Sequence, residues 1–254
     1  MPDHSLLAEF KRSLANDGLA ITLYRIGRYP YVRWQRSRIQ RGSTEDRFTR
    51  IYHMDAWVSR ESRSGKGSEL IYTENLRRHL PEIFERFGIT SILDAPCGDF
   101  NWMQHVIGGT GLRYVGGDIV RPLIEANQKS HASANVSFVH LDIIGDPLPA
   151  ADLMICRDCL FHLSNDDIMA FLANFERSAI PYLLTTNHLG DDIANSDIET
   201  GSFRLIDLFA EPFGLPEAPL ARVEDYIPPF PPREMILVTR EQVQEALRRR
   251  RPAA

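Results

Sequence analysis

Ser91-Ile92-Leu93-Asp94-Ala95-Pro96-Cys97-Gly98-Asp99-Phe100 is the stretch that decides the fold. A short apolar run ends in a carboxylate and gives way to a tight loop with one glycine. A second apolar run, Tyr114-Val115-Gly116-Gly117-Asp118, ends in another carboxylate. Strand, glycine turn, helix, strand, acid is the layout of a nucleotide-type pocket on a parallel sheet, with the second acid placed to hold ribose hydroxyls.

Downstream the pattern repeats. Alternating apolar runs predict strands at Ser91–Ala95, Tyr114–Asp118, Ser137–Leu141, Leu153–Cys156, Tyr182–Thr186 and Glu234–Thr239. Helical segments fall near 101–107, 121–130, 165–178 and Glu241–Arg250. Ser164 is placed to cap the third of these, with Asp166 and Asp167 in its first turn. Strands alternating with helices give right-handed crossovers and a doubly wound α/β sheet. Upstream, helices are expected over 5–40 with a break at Pro30, over 44–60, and from Thr73 to about Phe87. The Gly- and Ser-rich run from Arg60 to Ser68 reads as a loop. It is expected to close over a carboxylate of the bound ligand, with Lys66, Ser68 or Thr73 contributing. Residues 187–233, rich in Gly, Pro, Asp and Asn, show no strand. They are too long for a connector and suggest a substrate loop.

Leu93-Asp94-Ala95-Pro96-Cys97-Gly98-Asp99-Phe100 resembles the first motif of the Rossmann-like (class I) S-adenosylmethionine (SAM)-dependent methyltransferases, over roughly residues 68–240. The phrases Ala95–Trp102 and Cys156–Leu163 are similar to those of a little-characterised bacterial group. Pro96 and Phe100 replace the first and third glycines of the general motif. Proline still sets a tight turn, and Gly98 keeps the close backbone approach. SAM has no pyrophosphate and needs no glycine-lined anion cradle. The resemblance implies a mostly parallel seven-stranded sheet, a SAM domain over 68–254 and a basic helical extension over 1–67. It also implies roles. Asp94, with Ala95, Pro96, Cys97 and Gly98, would meet the methionine end of SAM. Asp118, with Ile119, would take the ribose, Asp142 the adenine amino group and Ile143 the adenine ring. Arg157 and Asp158 would lie near the sulfonium and the acceptor.

Methyl transfer to oxygen calls for a base of near-neutral pKa. His162 and His188, each after a strand, and Asp158 are the candidates. Phe100, Trp102 and Phe161 are candidate walls of the pocket. Cys97, Cys156, Cys159 and His162 have the chemistry of a zinc set, but these positions border the expected cofactor, so no metal is assigned.

Composition agrees with a globular chain: 43% hydrophobic, 25% charged, net charge −5 over 254 residues. Three cysteines do not suggest a disulfide framework, and no signal-peptide pattern or span-length apolar run is seen, so a cytoplasmic location is expected. Residues 1–50 carry ten Lys/Arg against five acids, and Arg248–Arg251 form a run near the C-terminus. The expected partner is a small-molecule or saccharide-like acceptor. A catalytically silent subunit touching RNA or a protein through the basic arm is the competing reading. Arg157-Asp158-Cys159-Leu160 lacks the Pro-Pro-aromatic signature expected of amino-directed nucleic-acid chemistry.

Overall fold

A computed structural model describes residues 42–250. The helices expected over 5–40 and the basic arm lie outside the described residues. From Ser43 onward the described chain forms one compact unit. The segment 43–67, grouped with the N-terminal arm on sequence grounds, is part of that unit.

Seven strands form one sheet: β1 (Ser91–Asp94), β2 (Arg113–Asp118), β3 (Val136–His140), β4 (Leu153–Cys156), β5 (Tyr182–His188), β6 (Ala221–Glu224) and β7 (Arg233–Thr239). Their order is β3-β2-β1-β4-β5-β7-β6, and β7 alone runs antiparallel to both of its neighbours. The helices are α1 (Thr44–His53), α2 (Glu74–Arg86), α3 (Gln104–Ile107), α4 (Arg121–His131), α5 (Asn165–Arg177) and α6 (Arg240–Arg250).

Successive side chains point to opposite faces of the pleat, and both faces of a doubly wound sheet are covered, so the strands are near-continuous apolar runs. Ile92, Tyr114, Leu153, Ile155, Leu184 and Leu237 enter the core on the α2 side. Their neighbours Leu93, Val115, Met154, Cys156, Leu183 and Val238 enter the core on the α5 and α6 side. In α5, Ile168, Phe171, Leu172 and Phe175 recur at helical spacing and are fully buried. Each contributes roughly 1.5–3 kcal/mol by burial. Ser164 caps this helix as expected, accepting from Asp167 N at 3.1 Å.

The sequence reading placed no strand between 187 and 233. β6 is there, as the edge strand beside β7. Its four residues, Ala221-Arg222-Val223-Glu224, do alternate, but with only Val223 buried the run is too short and too polar to stand out as a strand. Much of the same stretch is packed core: Ile206, Leu208, Phe213 and Leu215 are buried.

At the amino ends of the strands, Asp152 ties β4 to β1. One carboxylate oxygen accepts from Thr90 N, Thr90 Oγ1, Ser91 N and Ser91 Oγ at 2.7–2.9 Å. Partial burial pushes this carboxyl up, but the Thr90 and Ser91 donors outweigh it and hold it below the ordinary range. Its stabilisation is therefore present above the ordinary carboxylate pKa and is lost in acid. Asp152→Ala should destabilise the protein by about 1–3 kcal/mol in urea unfolding at pH 7, and the deficit should shrink as the pH falls below 4.

Candidate cofactor and acceptor site

Two adjoining cavities lie at the carboxyl ends of the parallel strands. They share Pro96, Gly98, Asp118, Asp158 and His162, so they form one continuous crevice. The first is walled by Ile119, Val120, Leu123, Leu141 and Ile143, with Phe48 and Tyr52 of α1 also lining it. Asp118 and Asp142 bring carboxylates into this apolar slot. The second holds Asp94, Cys97, Trp102, Arg157 and Arg233, ringed by Tyr72, Phe161, Phe203 and Phe230.

Four carboxylates line this crevice, each at or just beyond a strand end: Asp94, Asp118, Asp142 and, past β4, Asp158. Asp94 closes β1 and is buried; Tyr114 Oη donates to it at 2.6 Å. Burial pushes its carboxyl up to about 7, against the opposing hydrogen bond from Tyr114 and the charge of Arg157. Asp118 closes β2 and accepts from Gly98 N at 3.2 Å and Val120 N at 2.9 Å. Burial raises it to about 6, less than Asp94 because backbone donors favour its charged form. Asp142 follows β3 and accepts from Ile144 N at 2.9 Å.

Gly98 has φ +54°, and a Cβ there would meet Ser64 Oγ at 2.2 Å. The first loop therefore needs glycine twice over: for its backbone conformation and for the segment packed above it. That segment, Trp57–Ser68, is fixed to the loop by Asp99. The Asp99 carboxylate accepts from Ser62 Oγ (2.9 Å), Arg63 N (2.7 Å) and Ser64 Oγ (3.2 Å), while Ser64 Oγ accepts from Asp99 N (2.9 Å). Asn101 Nδ2 adds bonds to Glu61 Oε1 and Ser68 O. Trp57 and Ser64 thereby come to line both cavities.

Beyond β4 lies a buried cluster of four charges. Arg157 donates to Asp225 through Nε (2.8 Å) and Nη2 (3.0 Å). Arg233 donates Nη2 to Asp158 (2.8 Å) and Nε to the Asp225 carbonyl (2.8 Å). Burial pushes the Asp158 carboxyl up, but Arg157 and Arg233 outweigh it and hold it below the usual range. Asp158 thus stays ionised and is a poor proton acceptor at neutral pH. It is suited instead to accepting a hydrogen bond. Its backbone is left-handed, φ +53°, a conformation aspartate tolerates.

His162 lines both cavities. Its Nδ1 lies 2.7 Å from the Ser202 carbonyl, which can only accept, so the proton sits on Nδ1 and the Nε2 lone pair is free for a ligand. Burial lowers its pKa, which keeps the ring neutral. His188 lies elsewhere. It is buried behind Phe161, ring centroids 5.1 Å apart, and its Nδ1 accepts from Ile206 N at 3.3 Å. It lines neither cavity, so the expectation that it meets substrate is corrected: β5 runs on to residue 188 and carries its ring into the core.

Of the expected cofactor residues, Asp94, Pro96, Cys97, Gly98, Asp118, Ile119, Asp142, Ile143 and Arg157 line the crevice. Ala95 does not. It is fully buried beneath the loop, its N–H bonded to Ile155 O. Phe100 is core as well, packed on Tyr114 and Phe138, whereas Trp102 and Phe161 do line the second cavity. Among the described residues no three His, Cys, Asp or Glu side chains are gathered to hold a metal. Sequence reasoning missed Phe48, Tyr52, Trp57, Tyr72, Asp225 and Arg233. The one available signal was Asp225 and Arg233 bracketing the Pro228-Pro229 and Pro231-Pro232 turn, which marks a hairpin.

No protein-family model matches the chain, and no curated protein does. Solved structures do match. The sheet order with a reversed seventh strand, and the crevice at the strand ends, decide what they mean. The chain has the fold of the class I SAM-dependent methyltransferases. A SAM-dependent methyltransferase from Leishmania major is 15% identical, with TM-score 0.58, over 78% of this chain and 86% of that one. Magnesium protoporphyrin IX methyltransferase from Synechocystis, with S-adenosylhomocysteine (SAH) bound, is 12% identical, TM-score 0.55, over 78% and 99%. Human N-acetylserotonin methyltransferase, in complex with SAM, is 14% identical, TM-score 0.53, over 85% and 68%. Within this methyltransferase fold, no helix of the described residues is long and apolar enough to cross a membrane.

Asp99→Ala removes the acceptor that holds residues 62–64. Limited trypsinolysis should cut at Arg60, Arg63 or Lys66 at least several-fold faster in this variant, with the urea midpoint of the sheet nearly unchanged. Equal cleavage rates would show that Asp99 does not fix the segment.

Proposed function

We propose that this protein binds SAM and methylates a small acceptor at a hydroxyl oxygen. The observation that carries this reading is the single crevice lined by Asp94, Asp118 and Asp142 at the ends of β1, β2 and β3. The residues present suit the cofactor. The apolar slot of Ile119, Leu141 and Ile143 fits adenine, with Asp142 at its polar edge. Asp118, with two backbone N–H groups orienting it, can accept from both ribose hydroxyls. Asp94 suits an ammonium group.

When bound, SAM supplies an electrophilic methyl on its sulfonium. The chain's task is approach, orientation and proton removal. Neutral His162, which lines both cavities and has its Nδ1 proton held by Ser202 O, takes the acceptor hydroxyl proton on Nε2. Asp158, ionised and fixed by Arg233, accepts a hydrogen bond that orients the acceptor. His188 backs Phe161 and is a packing residue.

Asp118→Ala should weaken SAH binding about 10- to 100-fold in calorimetry, the loss of one or two hydrogen bonds to a charged group. Unchanged affinity would refute the ribose assignment.

Asp94 gives a pH signature. Its pKa of about 7 in the free protein means it is largely protonated below neutrality, and an ammonium ligand needs the carboxylate. SAH affinity should therefore rise as pH goes from 5.5 to about 7 and then level off. Asp94→Asn should bind weakly with less of this dependence. The same shift has a stability counterpart. A carboxyl raised in the folded state favours folding at low pH and loses that contribution as pH rises through about 7. Ligand-free Asp94→Asn should accordingly melt higher than wild type at pH 8, the gap narrowing toward pH 5. A flat SAH affinity across this range would remove the ammonium role from Asp94.

A further inference from the structure

Asp94 offers its two carboxylate oxygens to different neighbours. Oδ2 accepts from Tyr114 Oη at 2.6 Å, and Tyr114 is fully buried, lining neither cavity. Oδ1 has no hydrogen-bond partner among the described residues. It is nevertheless not one of their enclosed, unpartnered polar atoms, which are Arg47 Nε, Tyr72 Oη and Arg204 Nε. Oδ1 is therefore the oxygen that Asp94 presents to the second cavity. The sheet sets this division. Asp94 pairs with Gly116 across β1 and β2, so no β2 side chain stands directly opposite it. Side chains two apart on a strand share a face, and Tyr114, two residues before Gly116, reaches Asp94 instead. Its ring packs on Phe100 (5.0 Å between centroids) and Phe138 (6.0 Å), where a phenylalanine would fill the same space. A buried hydroxyl destabilises the core unless it is bonded, and among the described residues this one bonds to Asp94. Burial keeps the phenol protonated, so it donates throughout the neutral range.

Resting on the methyltransferase reading, we propose that Tyr114 is a positioning residue for the cofactor: its hydroxyl occupies Asp94 Oδ2 and holds Oδ1 toward the second cavity, where the ammonium group of SAM is received. A hydrogen bond donated to a carboxylate also favours its charged form. Four other ionisable groups bear on Asp94. The Arg157 guanidinium, beyond β4, attracts its charge, and Asp118, at the end of β2, repels it. The thiols of Cys97, in the first loop, and Cys156, at the end of β4, are pushed up by burial and stay neutral. With those four unchanged, loss of the Tyr114 hydroxyl raises the pH at which Asp94 ionises above its present value of about 7. The carboxylate then forms later as pH rises, and ammonium binding follows it. A ring that served packing alone would cost the same at every pH.

The test compares the full chain with Tyr114→Phe. Carboxyl ¹³C titration of the ligand-free proteins should place the Asp94 midpoint about 1 pH unit higher in the variant, about a tenfold change in proton affinity. Calorimetry should show SAH affinity reduced about five- to tenfold at pH 6.5 and no more than about threefold at pH 8.5. Asp118, raised to about 6, titrates in both proteins and cancels in the comparison. In the Asp94→Asn background the same substitution should change SAH affinity less than about twofold at either pH. Should Tyr114→Phe fail to fold, wild type still decides: its Tyr114 Cζ resonance should titrate with the Asp94 midpoint and move when SAH is added. A Tyr114 resonance indifferent to both would overturn the proposal. So would an equal loss of SAH affinity at both pH values, or an Asp94 midpoint that moves while SAH affinity does not. Absence of SAH binding by wild type at any pH would sink the cofactor reading and this role with it, even where the two resonances titrate together.

Discussion

The site depends on the buried cluster of Arg157, Asp225, Arg233 and Asp158. Two cations and two anions, taken out of water together, join the end of β4 to the hairpin between β6 and β7. Each of the four meets an opposite charge within hydrogen-bond distance. Removing any one would leave a buried charge without its counterpart, a loss of several kcal/mol. The balance fixes Asp158 as an ionised, immobile acceptor and aims the Arg233 guanidinium between two aromatic rings. It also shapes what lies beside it: a Cβ on Gly67 would come within 2.5 Å of Asp158 Oδ2, so the covering segment can only be glycine at that point.

Around that cluster the crevice divides its labour by dielectric. The first cavity is largely apolar, with Asp118, Asp142 and Asp158 bringing carboxylates to it. The second is charged, its carboxylates spanning a wide range of acidity: Asp94 near neutrality, Asp158 well below it. Neighbouring acids with such different proton affinities are what separate a ligand-responsive group from a permanently charged one.

The sheet and the carboxylates of the crevice at β1 and β2 were legible in the sequence because both rest on short-range patterns. Short apolar runs reveal β1 to β5 and β7, and a carboxylate at the end of such a run announces Asp94 and Asp118. The charged part of the second cavity was illegible because its contacts are long-range. Arg157 meets Asp225 across 68 residues and Arg233 meets Asp158 across 75. No local rule pairs those charges. The edge strand β6 escaped because it is four residues long with one buried position. His188 misled because a histidine after an expected strand end looks like a site residue. The strand continues two residues further and buries it instead. Asp99 was overlooked because its role, accepting from residues 62–64, is visible only once the covering segment is seen above the loop.

The reversal of β7 has an evolutionary corollary. In a wholly parallel sheet, every strand would begin at the far edge, remote from ligand. Here the turn between β6 and β7, residues 225–232, is delivered to the binding edge by a hairpin whose strands pair only with each other and with β5. Changes of length or composition in that turn can redraw the second cavity while β1, β2 and β3, at or beyond whose ends lie Asp94, Asp118 and Asp142, keep their register. The topology thus lets one half of the pocket drift while the other stays constant.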